Sequence, residues 1–268
     1  MGLPIPAKPC KAGETENRNP MRILLLNPNT TPAVTDLLLA AGAKVAVPGT
    51  ELVPLTASRG VPYIATRAEA QIGGAVALEM LADHHRSVDG AIIAAFADPG
   101  LMGARELFDI PIIGLAEAAM LTACMLGGRF SIVTFATALG PWYRECVELH
   151  GLTGRLASIR MLDVPFQSVA TVQAEKESLL ADLANRAVRE DEADVVILAG
   201  APLAGLAAKI ADRIAVPVID PVAAAVKQIE ALVTLKPRKA IAGSFRRPGP
   251  KDTIGLSPAL AARIEHRD

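Results

Sequence analysis

Val88-Asp-Gly-Ala-Ile-Ile-Ala-Ala-Phe-Ala-Asp-Pro-Gly-Leu101 returns later in the chain as Ala193-Asp-Val-Val-Ile-Leu-Ala-Gly-Ala-Pro-Leu-Ala-Gly-Leu206. Asp89 and Asp194 stand 105 positions apart. Ile110-Pro-Ile-Ile113 pairs in the same way with Val216-Pro-Val-Ile219, and Ile23–Asn27 with Phe130–Thr134, at offsets of 106 and 107. Three matches in one order at nearly one spacing describe a duplicated unit, divided near residue 128.

Working outward from the repeat, short β-rich runs alternate with helix-patterned segments. The runs are Arg22–Asn27, Glu51–Leu55, Ala91–Ala95, Pro111–Ile113, Phe130–Thr134, Ser158–Leu162, Val195–Ala199 and Pro217–Ile219. Between them Thr66–His85, Leu115–Leu126, Val172–Arg189 and Pro221–Leu235 carry helical patterning. Apolar runs this short, separated by helices, predict parallel sheets covered on both faces. The expected fold is therefore α/β, with two pseudo-symmetric lobes, each a four-stranded parallel sheet flanked by helices, and a site in the cleft between them. The expected domains are a disordered leader over 1–20, an N-terminal lobe over 21–128, a C-terminal lobe over 129–235, and a tail over 236–268 packing back on the lobes. The four-proline leader makes Met21 a candidate start.

Composition narrows the function. The chain has 268 residues with 27 basic and 28 acidic side chains, so a phosphate-driven nucleic-acid binder is disfavoured. Half of it (51%) is hydrophobic and its mean hydropathy is +0.35, yet no apolar run reaches the 18 or more residues of a membrane-spanning helix. The aliphatic excess fits strands buried on both faces. Three cysteines, Cys10, Cys124 and Cys146, form no disulfide framework, which points to a reducing cytoplasm. The histidines show no metal-ligand spacing, and no glycine-rich nucleotide loop follows a strand, so neither metal nor cofactor is expected.

In parallel sheets ligands bind beyond the carboxyl ends of strands. After the first strand, Asn27, Asn29 and Thr30 offer polar groups at a helix start, for a ligand or for capping. After the second come Ser58, Tyr63 and Arg67, the arginine suiting a carboxylate or a solvated helix face. After the third come Ala95, Phe96 and Asp98, and the aspartate suits either a helix cap or a general base. Glu117 after the fourth strand and Asp220 at the matching place in the second copy are carboxylates for one cleft, or charges complementing helix dipoles. Thr134, Gly200, Ala201 and Pro202 complete the second lobe's share.

At these residues the sequence resembles the Asp/Glu/hydantoin racemase superfamily. The matching pieces are Asn27-Pro-Asn-Thr30, Phe96-Ala-Asp-Pro-Gly-Leu101, Ile113-Gly-Leu-Ala-Glu117-Ala, Arg129-Phe-Ser-Ile-Val-Thr134, Leu203-Ala-Gly-Leu206 and Val218-Ile-Asp220. The resemblance runs from Met21 to about Leu256. It implies two α/β lobes with the site between them, and no cofactor. It also implies a cysteine after the third strand of each lobe, one thiolate removing a proton and the other thiol returning it. Here those positions are Ala95 and Gly200, and neither carries a proton.

The absence of both thiols shifts the expectation from racemisation to water activation on a hydantoin-like or thiohydantoin-like ring, or a related carboxylate. Asp98, Glu117 and Asp220 would serve as the acids and bases of a hydrolase, desulfhydrase or lyase. The alternatives are a hydantoin or amino-acid racemase using non-cysteine bases, and a non-catalytic binding protein. The expected partner is a small cyclic ureide or carboxylate, with no nucleic acid or membrane, in a homo-oligomer.

Overall fold

The computed structural model describes residues 20–165, 167–168 and 171–268, so all of the expected leader except Pro20 lies outside the described residues. The N-terminal half forms β1 (Met21–Asn27), α1 (Pro32–Ala43), β2 (Thr50–Thr56), α2 (Arg67–His84), β3 (Gly90–Ile93), α3 (Leu101–Leu107), β4 (Ile112–Gly114) and α4 (Leu115–Leu126). The C-terminal half repeats the order with β5 (Phe130–Thr134), α5 (Gly140–Leu149), β6 (Leu156–Met161), α6 (Val172–Asp191), β7 (Val195–Leu198), α7 (Leu206–Ile210), β8 (Val218–Ile219) and α8 (Pro221–Leu235). A short helix, α9 (Pro258–Ile264), follows an irregular segment.

The sheet orders are β2-β1-β3-β4 and β6-β5-β7-β8, and every pairing is parallel. The two-sheet α/β architecture read from the repeat is thus present, and its strand orders are the same in both copies. β3 and β7 stop two residues and one residue earlier than the apolar runs suggest. The last ladder-like bonds are Ala94 N–H to the Leu26 carbonyl (2.7 Å) and Ala199 N–H to the Val133 carbonyl (2.8 Å). Ala95 and Gly200 are the first residues beyond these bonds, where the chain is free to turn.

Period-2 alternation explains how the halves join. Ile23 and Leu25 of β1, with Ile92 of β3, face a core shared with Ile132, Val196, Val222 and Ala225 of the second half. Leu24, Leu26, Ala91 and Ile93 face the other way, onto Leu81, Leu101 and Leu260 of α2, α3 and α9. Both faces of the sheet are buried, which accounts for the uninterrupted Ile-Leu-Leu-Leu of β1. Small residues on α4 (Ala116, Ala118, Ala119) and α8 (Ala224, Ala225) sit in the core where these helices meet. Arg263 of α9 is buried, donating to the Leu107 carbonyl (2.9 Å) and lying over the Phe108 ring (5.6 Å). Among the described residues, no helix is long and apolar enough to cross a membrane.

Candidate active site

The turns after β1, β3 and β7 meet the start of α5 in a pocket lined by Asn29, Tyr63, Ile64, Ala95, Phe96, Trp142, Tyr143, Gly200, Ala201 and Pro202. Seven of the residues expected from the strand ends are therefore brought together: Asn29, Tyr63, Ala95, Phe96, Gly200, Ala201 and Pro202. The cavity measures about 20 Å³. That is room for about one water.

Aromatic side chains dominate its wall. The chain has one tryptophan and two tyrosines, and all three are here. Phe96 packs on Tyr143 at 4.7 Å between ring centres, Trp142 on Tyr143 at 5.8 Å, and Tyr63 on Phe135 at 5.9 Å. The Tyr63 hydroxyl is buried without a hydrogen-bond partner. Buried polar groups are normally hydrogen-bonded, so this hydroxyl is an exception in the pocket wall. Burial, aided by the Glu69 charge, pushes Tyr63 above the usual phenol range. Burial and then the neighbouring Tyr63 push Tyr143 well up too, against a hydrogen bond with Thr134. Both phenols therefore keep their protons at neutral pH and act as donors.

Several other expected ligand residues have different work. Asn27 is fully buried, its Nδ2 donating to Asn29 Oδ1 (3.2 Å) and Thr35 Oγ1 (3.0 Å). Its Oδ1 accepts from Asn29 N–H, so it shapes the turn instead of facing a ligand. Asn29 Oδ1 also accepts from Thr31 N–H, which leaves the Nδ2 donors as the part of Asn29 available to the pocket. Thr30 and Ser58 fall outside the lining, and Ser58 is exposed. Thr31 holds the N-cap position of α1, but its hydroxyl donates to the Pro62 carbonyl rather than capping. Thr134 is buried and donates to the Ala199 carbonyl (2.9 Å), tying β5 to the β7 turn. Arg67 pairs bidentately with exposed Glu145 of α5, so its guanidinium is spent on the protein surface.

The three carboxylates expected to activate water are also engaged. Asp98 is buried and accepts from Ala116 N–H and Glu117 N–H, both at 2.8 Å, capping α4 across the lobe instead of the adjacent α3. It is held at φ +55, next to Ala97 at φ +76, a left-handed pair that these two bonds help to pin. Burial raises its carboxyl above the usual range, only partly offset by His150 and the two N–H groups. Asp220 caps its own helix α8, accepting from Val222 N–H (2.9 Å) and Ala223 N–H (3.3 Å), and also takes Gly205 N–H from the β7 turn. Glu117 is gripped by both guanidinium nitrogens of Arg105.

Asp98 and Asp220 solve one problem from opposite ends. In the repeat, Asp98 aligns with Leu203 and Asp220 with Gly114. Each lobe ties its third-strand turn to its fourth-strand helix with a single carboxylate, carried on the turn in one lobe and on the helix in the other. A Cβ on Gly114 would lie 2.0 Å from Asp98 Cγ, so a side chain at 114 and the Asp98 carboxylate exclude each other.

Sequence reasoning missed Ile64, Trp142 and Tyr143, and it set Cys146 and His150 aside. The available signal was aromatic scarcity: adjacent Trp142 and Tyr143 follow the end of β5 in a chain that is 3% aromatic.

The Asp/Glu/hydantoin racemase family model matches residues 23–229. The chain belongs to this racemase family. It is 34% identical over 236 residues to a hydantoin racemase of Paenarthrobacter aurescens, covering 87% of this chain and all of that protein. Among solved structures, the allantoin racemase of Klebsiella pneumoniae superposes with a TM-score of 0.84 at 35% identity, over 90% of this chain and 98% of that one. An arylmalonate decarboxylase shares the fold at a TM-score of 0.56 and 15% identity, over 91% of this chain and 99% of that one. Within this racemase family, then, a cleft of two lobes is closed here by an aromatic cage.

Proposed function

We propose that this protein is an isomerase that exchanges the proton on the ring carbon of a hydantoin-like substrate, allantoin or a 5-substituted hydantoin, using no cysteine. The observation that supports it most is the gathering of both tyrosines and the tryptophan around Ala95 and Gly200, with the Tyr63 hydroxyl unpartnered. Removing a proton next to a carbonyl places negative charge on the carbonyl oxygen. A neutral buried phenol is a preorganised donor for that charge. Tyr63 has that character, the Asn29 amide adds a further donor, and Tyr143, whose hydroxyl bonds Thr134, shapes the wall beside them. In this reading a bound ring presents one face to Ala95, where no thiol stands, and there hydroxide from solvent takes the proton and the water so formed returns one.

The water-activating hydrolase or lyase reading loses its support, because Asp98, Glu117 and Asp220 fall outside the pocket lining and are each engaged by helix N–H groups or by Arg105. The relatives named above as racemases also favour proton exchange over ring opening.

The test is polarimetry on enantiopure allantoin and 5-substituted hydantoins with wild-type protein, Tyr63→Phe and Tyr143→Phe. The expected result is decay of optical rotation catalysed by wild type and slowed about 10²–10³-fold by loss of the donating hydroxyl. Equal rates in all three proteins would reject the phenols, and tight binding without any decay would leave a binding protein.

A further inference from the structure

We propose that Asp98, Cys146 and His150 form a binding site for a thiophilic divalent metal ion of the zinc class, set beside the aromatic pocket. The three come from both lobes: Asp98 from the β3 turn, Cys146 from α5, and His150 from the residue that caps α5. One carboxylate oxygen, the Sγ and one ring nitrogen all lie within 4.8 Å of one another. Cys146 and His150 are four residues apart, the spacing that puts two side chains on one helix face.

The His150 side chain is 6% exposed, and its Nε2 is buried without a hydrogen-bond partner. Nε2 stands 3.7 Å from Asp98 Oδ2. Zinc bonds of about 2.0–2.2 Å to nitrogen and oxygen at the tetrahedral angle give a separation of about 3.3–3.6 Å, so this pair needs to close by only a few tenths of an ångström. The surroundings are those of a supported ligand. Glu117 Oε1 faces the other ring nitrogen, Nδ1, at 3.6 Å, and Arg105 fixes Glu117 in turn. A carboxylate behind a ligating histidine is the usual means of orienting the ring. Ala116 N–H and Glu117 N–H hold Asp98 in place while each of its oxygens keeps a further lone pair.

Charge and softness select the ion. One divalent ion balances one thiolate and one carboxylate, and a sulfur ligand disfavours magnesium and calcium. Three protein ligands leave a fourth position open. Tyr143, three residues before Cys146, lines the pocket and feels the charges of Cys146 and Asp98, so the cluster and the pocket adjoin. This assignment stands apart from the isomerase reading and survives if no hydantoin is turned over.

The experiment uses tag-free full-length protein purified without chelator. Elemental analysis is expected to find stoichiometric zinc. After stripping, Co2+ is expected to give a thiolate-to-cobalt charge-transfer band that is lost in Cys146→Ser and in His150→Gln, and either variant suffices if the other does not fold. Glu117→Gln is expected to keep the band while weakening affinity about 10–100-fold. Folded wild type that takes up neither ion in molar excess would overturn the assignment, as would a cobalt band that persists in Cys146→Ser.

Discussion

Placing a thiol at the two pseudo-equivalent positions, Ala95 and Gly200, is expected to give opposite outcomes. Gly200 sits at φ +118 and ψ 130, a conformation open to glycine and costly to any L side chain. Holding cysteine there costs about 1–3 kcal/mol. Its Cβ would also lie 2.7 Å from Phe135 Cε1, and Phe135 is itself buried, so the ring cannot swing away. Such overpacking adds about 1–3 kcal/mol. Gly200→Cys should thus lose about 2–6 kcal/mol, a fall of about 4–24 °C in Tm for a chain of this size. Ala95 already carries a Cβ, is not among the left-handed residues, and borders the pocket. Ala95→Cys should cost less than about 1.5 kcal/mol. It also puts a base beside the pocket and should raise proton exchange about 10²–10⁴-fold. Thermal melting of both variants, with Gly200→Ala as the control that carries a Cβ but no thiol, reads the structural half. Deuterium exchange reads the chemical half. If Gly200→Cys melts with wild type, or Ala95→Cys melts as low as Gly200→Cys, the reasoning fails.

Asp98→Ala should cost about 2–4 kcal/mol in urea unfolding, because two buried N–H groups of α4 lose their acceptor, and Asp98→Asn should cost less. A wild-type midpoint for Asp98→Ala would contradict the capping role. Arg67→Ala should leave both melting temperature and ligand affinity close to wild type, since its partner Glu145 is exposed and the pair stands outside the pocket. A large loss of affinity would return Arg67 to the site. The Arg160 guanidinium, helped by Ser158, holds Asp191 below the usual carboxylate range against its partial burial. A depressed carboxylate stabilises the fold above its unfolded-state pKa and loses that contribution as pH falls through the folded one. Asp191→Asn should therefore be less stable by under about 1 kcal/mol at pH 7, and melts taken down a pH series should show the gap closing in acid.

The fold was legible because its signals are local. Strands buried on both faces read as plain aliphatic runs, and duplication printed the same order twice, so Leu25–Leu26 and Ile132–Val133 announce equivalent places. Positions just past strand ends were legible for the same reason, and Ala95, Phe96, Gly200 and Pro202 do line one pocket. What stayed hidden depends on distant partners. Asp98 looks like a cap for α3, yet its donors are the N–H groups of residues 116 and 117. Arg67 looks like a ligand cation until Glu145, 78 residues on, is seen to claim it. Helical register decided the rest. Nothing local says that α5 turns Tyr143 to the pocket and Cys146 to Asp98.

One proton NMR experiment on the wild-type protein separates the chemistries directly. Enantiopure allantoin or a 5-substituted hydantoin is incubated in D2O, and the ring C–H signal is followed beside the signals of the ring-opened carbamoyl product. The pocket's protonated phenols and committed carboxylates predict loss of the C–H signal to deuterium with the ring intact. Accumulation of the ring-opened product with the C–H signal retained would contradict that account.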